Sequence, residues 1–262
     1  TGTWDNSLAT MPVPAFNLCA AGIGDDIYVP GGWDGSVALS DLQVYHIDSD
    51  SWEIIATDPL PAARLAPACA AYDGKVYVIG GSFQDTTWVY DPAAAAGSRW
   101  TTLAQVPQAG AYGAALAVGD LIFYAGFYMG GDRPEVYAYD PAADAWTRYP
   151  DLATARGGAG MWAIGDRLLV GGGGWDSYLT SVEQYDTSQG PGGAWSPFEA
   201  GLVQGRRTFA YASDPVHGRL FAGNGWAGAY LAEAEQLAFD GVAAPIQITF
   251  DVTVTARCGD VI

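Results

Sequence analysis

Two histidines and three cysteines are the only imidazole and thiol groups in the chain. His46 lies beside Tyr45 in a strand-like run, and His217 sits in a turn between Pro215 and Gly218. Neither has a His or Cys neighbour at ligand spacing, and no Cys-x-x-Cys occurs, so no metal site is expected. Cys19 and Cys69 fall in apolar runs and read as buried free thiols. No serine has the Gly-x-Ser-x-Gly setting of an activated nucleophile. The run Gly171 to Gly174 looks like a phosphate loop, yet no Lys-Ser/Thr pair follows it. Carboxylates are many, but Asp25-Asp26, Asp48, Asp50, Asp91 and Asp140 fall in turns, where Asp accepts local backbone hydrogen bonds. None fits a twelve-residue calcium loop. What remains is chemistry for binding. Five loops carry aromatic residues, three of them with nearby acids: Trp33 with Asp34, Phe83 with Asp85, Phe127 with Tyr128, Trp175 with Asp176, and Trp226. Arg64, Arg156, Arg206 and Arg207 precede apolar runs in neighbouring stretches. Aromatic faces with carboxylate and guanidinium hydrogen-bonders suit a sugar or an extended peptide. No catalytic group and no cofactor is expected.

The charge balance narrows the partners. Acidic residues number 29 against 11 basic ones, a formal charge of −18, and Lys75 is the sole lysine. Such a surface repels phosphate backbones, so nucleic acid and anionic membrane are excluded as expected partners. No apolar run reaches the roughly 18 residues of a membrane helix, so direct insertion is not expected. The chain opens on Thr1, which reads as a mature product or an excised piece. Half of the 262 residues are apolar, enough for a sizeable core.

An internal repeat positions these loops. Ile27-Tyr28-Val29-Pro30-Gly31-Gly32 returns as Val76-Tyr77-Val78-Ile79-Gly80-Gly81. It returns again in Leu121 to Gly126, Leu168 to Gly172 and Leu220 to Gly223. A tryptophan follows in four units, at Trp52, Trp100, Trp146 and Trp195. Between the two lies an aromatic-to-Asp mark: Tyr45 to Asp48, Tyr90-Asp91, Tyr139-Asp140, Tyr185-Asp186 and Phe239-Asp240. Each unit reads as four strands. In the second these are Leu65 to Tyr72, Lys75 to Ile79, Thr86 to Tyr90 and Trp100 to Leu103, with Asp73-Gly74 as a hairpin turn. A four-stranded sheet cannot bury both faces alone, so the units must pack radially. The recurring Tyr and Trp are then core.

These ordered markers resemble the kelch repeat, over residues 1–240. The resemblance implies an all-β, kelch-type β-propeller whose aromatic loops converge on one face of the ring, together with the loops that carry the arginines. Copper oxidases built on such propellers use Tyr, His and a Tyr–Cys crosslink, and the two histidines here do not supply that set. The expected binding residues are Trp33, Asp34, Arg64, Phe83, Phe127, Tyr128, Arg156, Trp175, Asp176, Arg206 and Trp226. Five four-stranded blades are expected, with the segment around Trp4 supplying the last outer strand. A chain cut from a larger ring is the alternative. Residues 241–262 depart from the repeat. Ile246, Ile248, Phe250, Val252 and Val254 alternate with polar residues as a strand, which resembles late strands of immunoglobulin-like repeats in bacterial surface proteins. This C-terminal strand extension is expected to be completed from outside, by a further domain or by a neighbouring subunit through residues 246–254. The expected function is a non-enzymatic binding or adhesion module, secreted or on the surface of a prokaryotic cell, with a carbohydrate or protein ligand. The alternatives are a surface-layer or filament subunit and an accessory domain of a secreted hydrolase.

Overall fold

Every unit of the repeat folds as an antiparallel meander of four strands. The computed structural model describes residues 7–238 and the backbone of 246–250. Blade 1 holds β1 (Ala21–Ile23), β2 (Asp26–Pro30), β3 (Leu42–His46) and β4 (Ser51–Ile54). Blade 2 holds β5 (Ala68–Tyr72), β6 (Lys75–Ile79), β7 (Thr87–Tyr90) and β8 (Trp100–Leu103). Blade 3 holds β9 (Ala114–Val118), β10 (Leu121–Ala125), β11 (Val136–Asp140) and β12 (Ala145–Tyr149). Blade 4 holds β13 (Gly160–Ile164), β14 (Arg167–Gly171), β15 (Val182–Asp186) and β16 (Ser196–Pro197). Blade 5 holds β17 (Ala210–Asp214), β18 (Arg219–Gly223), β19 (Ala234–Ala238) and β20 (Ile246–Phe250). Within each sheet the strands lie in chain order. The first strand of each is innermost, and all five inner strands line a central cavity of about 760 Å³ walled mainly by alanines and other small residues.

Tight turns set the register. Asp73 and Gly74 both take positive φ, 48° and 68°, the geometry of a two-residue hairpin that leaves Tyr72 opposite Lys75. Adjacent blades then share their apolar faces. Ala70, Tyr77 and Ile79 of blade 2 pack on Ile122, Tyr124 and Tyr139 of blade 3, all nearly inaccessible. Each such side chain contributes roughly 1.5–3 kcal/mol on burial. The third-strand tyrosines Tyr90, Tyr139 and Tyr185 are each 1% exposed, as the repeat implies for core. The tryptophans are half-buried and reach back to the preceding blade, where Trp100, Trp146 and Trp195 donate Nε1–H to the carbonyls of Asp58 (3.0 Å), Ala104 (2.9 Å) and Pro150 (2.8 Å). The repeat glycines admit a neighbouring backbone. At Gly81, φ is 79° and a Cβ would stand 2.8 Å from the Pro67 Cα.

Three expectations need correction. The fourth strand of blade 5 is β20, paired from Ile246 opposite Ala238 to Phe250 opposite Ala234. It fills the place expected for the segment around Trp4, and it is not left for a neighbouring subunit. Pairing removes the open edge that β19 would otherwise present. Thr1 to Asn6, residues 239–245 and residues 251–262 lie outside the described residues, and with them Trp4, the Phe239-Asp240 mark and the rest of the tail. Cys19 and Cys69 form a disulfide with Cα atoms 5.7 Å apart. They stand 50 residues apart in sequence, but the inner edges of blades 1 and 2 are neighbours. A short 3₁₀ turn, Thr187–Gly192, also joins β15 to β16, capped by the Asp186 side chain.

Candidate functional site

Five loops on one face are held by the same backbone bond. A residue one to three positions after each second small residue donates its N–H to the carbonyl of a residue entering the inner strand of the same blade. The bonds are Trp33 to Phe16 (2.9 Å), Ser82 to Leu65 (2.7 Å), Tyr128 to Ala111 (2.8 Å), Gly174 to Gly157 (2.9 Å) and Trp226 to Arg207 (3.0 Å). One residue further on, the chain takes a left-handed conformation in all five blades, at Asn17, Ala66, Tyr112, Gly158 and Thr208. These five residues ring the mouth of the central cavity.

An aromatic cluster has grown on this frame over blades 2 to 5. Trp175 is at its centre. Its ring lies 4.5 Å from that of Tyr128 and 4.8 Å from that of Tyr112, which in turn meets Phe83 at 6.4 Å. The Trp175 amide is held by the Asp132 carboxylate at 2.9 Å. The Arg207 guanidinium covers the Trp175 ring at 3.8 Å, with Tyr178 at 5.9 Å. Trp226 donates its Nε1–H to the Tyr178 hydroxyl at 3.1 Å and packs edge-on to Tyr230, which is 86% exposed. Arg207 Nη1 is buried and, among the described residues, has no hydrogen-bond partner. Burial raises the Tyr112 phenol pKa, opposed by the nearby Arg207 charge.

The expected site residues divide sharply. Phe83, Tyr128, Trp175 and Trp226 belong to the cluster. Trp33 is half-buried beside Phe16 in blade 1's share of the same face. Asp34 and Asp176 are exposed. Asp34 accepts from the Ser36 and Val37 amides, which lowers its carboxyl pKa. Phe127, expected at the face, is fully buried and stacked on Tyr124 at 4.9 Å. The three arginines do not ring the opening. Arg156 and Arg206 are fully inaccessible, and Arg64 is 6% exposed. Arg156 bonds Glu183 (2.8 Å) and the carbonyls of Gly172 and Ser181 (each 2.9 Å), while Arg206 bonds Glu235 (2.5 Å) and the carbonyls of Asn224 and Glu233. Arg64 lies over the Trp88 ring at 4.1 Å and donates to Thr86. Arg156 and Arg206 turn inward because the loop ahead of each is pinned: Glu183 also receives the Ala153 and Thr154 amides, and Glu235 those of Val203 and Gln204. Tyr112, Asp132, Tyr178 and the half-buried Arg207 take the place expected for the three arginines. Tyr112 could have been found by carrying the repeat register one residue past each loop.

Among the described residues, His46 and His217 pair with the Asp26 and Asp214 carboxylates and not with a hydroxyl or thiol. Among the described residues no group of three His, Cys, Asp or Glu side chains could hold a metal ion. Among them, too, no helix is long and apolar enough to cross a membrane. The kelch motif model matches residues 14–59 and 63–107, which are blades 1 and 2 with the loops that enter them. The chain is a kelch-repeat propeller. Kelch-like protein terF of Aspergillus terreus is 30% identical over 200 residues, 66% of this chain and 42% of that protein. Human Kelch repeat and BTB domain-containing protein 13 is 33% identical over 174 residues, 63% of this chain and 36% of that protein. A cowpox virus protein of the same description, numbered 1, is 24% identical over 225 residues, 82% and 38%. The kelch propeller thus spans less than half the length of these relatives.

Proposed function

We propose that this kelch propeller is a non-enzymatic protein-binding module that grips a carboxylate-bearing segment of its partner on the Trp175–Arg207 face. One observation carries the reading: a guanidinium is laid flat on an indole, with a buried Nη1 donor left unused among the described residues, at the mouth of the ring. An unsatisfied buried donor costs roughly 1–3 kcal/mol, more when charged, and a partner carboxylate recovers that cost. Tyr112, Tyr128, Tyr178 and Trp226 supply flat apolar contact around it, suited to backbone and aliphatic stems of an extended peptide. The names of the relatives above, with kelch repeats beside a BTB domain, agree with a module inside larger interaction proteins. The Cys19–Cys69 disulfide supports an oxidising setting, secreted or at a cell surface. The filament-subunit alternative loses its connector, because Ile246–Phe250 is taken up within blade 5.

A peptide array and a neutral-glycan array probed with the same protein test this. The wild type should select Asp- or Glu-containing peptides. Arg207→Met, which keeps an aliphatic stem on Trp175, should lose that selection at least tenfold with Tm nearly unchanged. Equal binding by the variant, or selection of glycans alone, overturns the reading.

A further inference from the structure

Blade 5 departs from the others at the first residue of the glycine pair. Gly31, Gly80, Gly126 and Gly172 open the loop after the second strand of blades 1 to 4, with φ of 69°, 61°, 65° and 64°. Asn224 stands in their place with φ 58°, a left-handed setting that asparagine tolerates better than most residues with a side chain. It is exposed at the mouth of the central cavity. Gly225 follows it, whereas Asn6 and Asn17 precede Ser7 and Leu18. Asn224 is therefore the one asparagine whose next backbone nitrogen has no Cβ beside it to screen an approach.

The Asn224 main chain is held and its side chain is not. Its N–H donates to the Glu233 carbonyl at 3.0 Å. Its carbonyl accepts Arg206 Nη1 at 2.8 Å, from a guanidinium that is fully inaccessible. Arg156 holds the Gly172 carbonyl in the same way at 2.9 Å, but glycine has no side chain to react. Among the described residues, the Asn224 side-chain amide and the Gly225 N–H have no hydrogen-bond partner. Gly32, Gly81 and Gly173, in the place of Gly225, donate theirs to the carbonyls of Arg64, Gly110 and Arg206 at 2.7 to 2.9 Å. The Gly225 nitrogen is thus free where its counterparts are tied. Loss of its proton would spread negative charge onto the Asn224 carbonyl oxygen, where the guanidinium already sits. A hydrogen bond to the charged form of a group favours that form.

We propose that Asn224–Gly225 is a self-modification site, at which the buried Arg206 guanidinium activates the Gly225 nitrogen to deamidate Asn224. The Gly225 nitrogen gives up its proton and attacks Asn224 Cγ. The N–Cγ bond forms, the Cγ–Nδ2 bond breaks, and Nδ2 leaves as ammonia with that proton. Water then opens the five-membered imide. Attack at Cγ leaves aspartate. Attack at the main-chain carbonyl carbon leaves isoaspartate, with Gly225 joined through Cγ. In isoaspartate the oxygen that Arg206 holds becomes part of a carboxylate, a better partner for a guanidinium than a carbonyl, so isoaspartate is the favoured product. The modified chain carries one more negative charge and a longer main chain just ahead of Trp226.

Incubation of the full 262-residue chain in native buffer and in denaturing urea at the same pH tests this. Mass spectrometry of proteolytic peptides reads the change from amide to acid. An isoaspartyl methyltransferase, with S-adenosylmethionine as methyl donor, counts isoaspartate in the same peptides. The Asn224 peptide should convert severalfold faster in the folded chain than in urea, with isoaspartate exceeding aspartate and the rate rising with pH. Equal or slower conversion in the folded chain would mean that the held loop protects Asn224, and overturns the proposal. Asn224→Gly, the residue of the other four blades, should fold with Tm nearly unchanged and lose most of the methyl label. A label that persists in the folded variant places the reaction elsewhere and equally overturns it.

Discussion

Arg156 and Arg206 show how far a residue's type can mislead about its direction. Their recurrence ahead of inner strands is plain in the sequence, but nothing local says whether a guanidinium faces solvent or the blade. The usable signal lay elsewhere: Glu183 and Glu235 are charged residues inside third strands, where the other blades carry Gln43, Trp88 and Tyr137. A carboxylate there calls for a buried cation. Burial lowers the Arg156 pKa, and Glu183 opposes the shift. Removing one partner strands the other charge, so Glu183→Ala should cost about 3–5 kcal/mol in a urea titration. Asp176→Ala, at an exposed loop position, should stay within about 0.5 kcal/mol; equal effects would refute the internal assignment. His46 provides a pH test of the same kind. Its pKa is raised, chiefly by the Asp26 carboxylate 2.6 Å from Nδ1. The folded state thus holds the proton more tightly than the unfolded one. The resulting stability is complete below the free-histidine pKa of about 6.5 and is lost as pH rises through the higher folded value. Relative to His46→Gln, the wild type should gain Tm at about pH 5.5 and lose that gain by about pH 8.5. A gain that grows with pH would contradict the pairing.

Most strands were legible because two local signals agree in each unit. Alternating or continuous apolar runs end at Gly, Asp or Pro, and the turn residues fix which strand pairs with which. The sequence places β6 at Lys75 to Ile79 and β8 at Trp100 to Leu103, and both strands are found there. β20 was legible as a strand but not as part of a blade. It carries no tryptophan, and its neighbour is set by an open edge on β19, which no residue in the tail records. The glycines separate two functions in the same way. Gly74 needs its positive φ but has open space around it, whereas Gly81 needs both the dihedral and the room. Gly81→Ala should therefore lower Tm clearly more than Gly74→Ala, whose cost is on the order of 1 kcal/mol. The reverse order by calorimetry would mean that Pro67 gives way.

At the scale of the whole molecule, adjacency across long sequence separations decides what can be read. The Cys19–Cys69 bridge was hidden because each cysteine sits in a stretch that suits a buried thiol. Only the ring brings the first two inner edges together. Closing a loop of about 50 residues stabilises by roughly 2–4 kcal/mol. Thiol reductant should lower the Tm of the wild type and leave that of a Cys19→Ala/Cys69→Ala variant unmoved. A wild type indifferent to reductant would show that the bridge adds nothing to the fold.

The five loop tethers run from amide to carbonyl, though at Ser82 the hydroxyl joins in and accepts the Leu65 amide at 2.9 Å. Tryptophan, serine, tyrosine, glycine and tryptophan occupy the five donor positions, yet the bond is the same length to within a few tenths of an ångström. The frame is indifferent to what it displays. Mutation at these addresses can rewrite what the face recognises without renegotiating the architecture beneath, so each blade is free to drift on its own. A library varied at Trp33, Ser82, Tyr128 and Trp226 should be largely soluble and folded, and nearly every member should present a different surface.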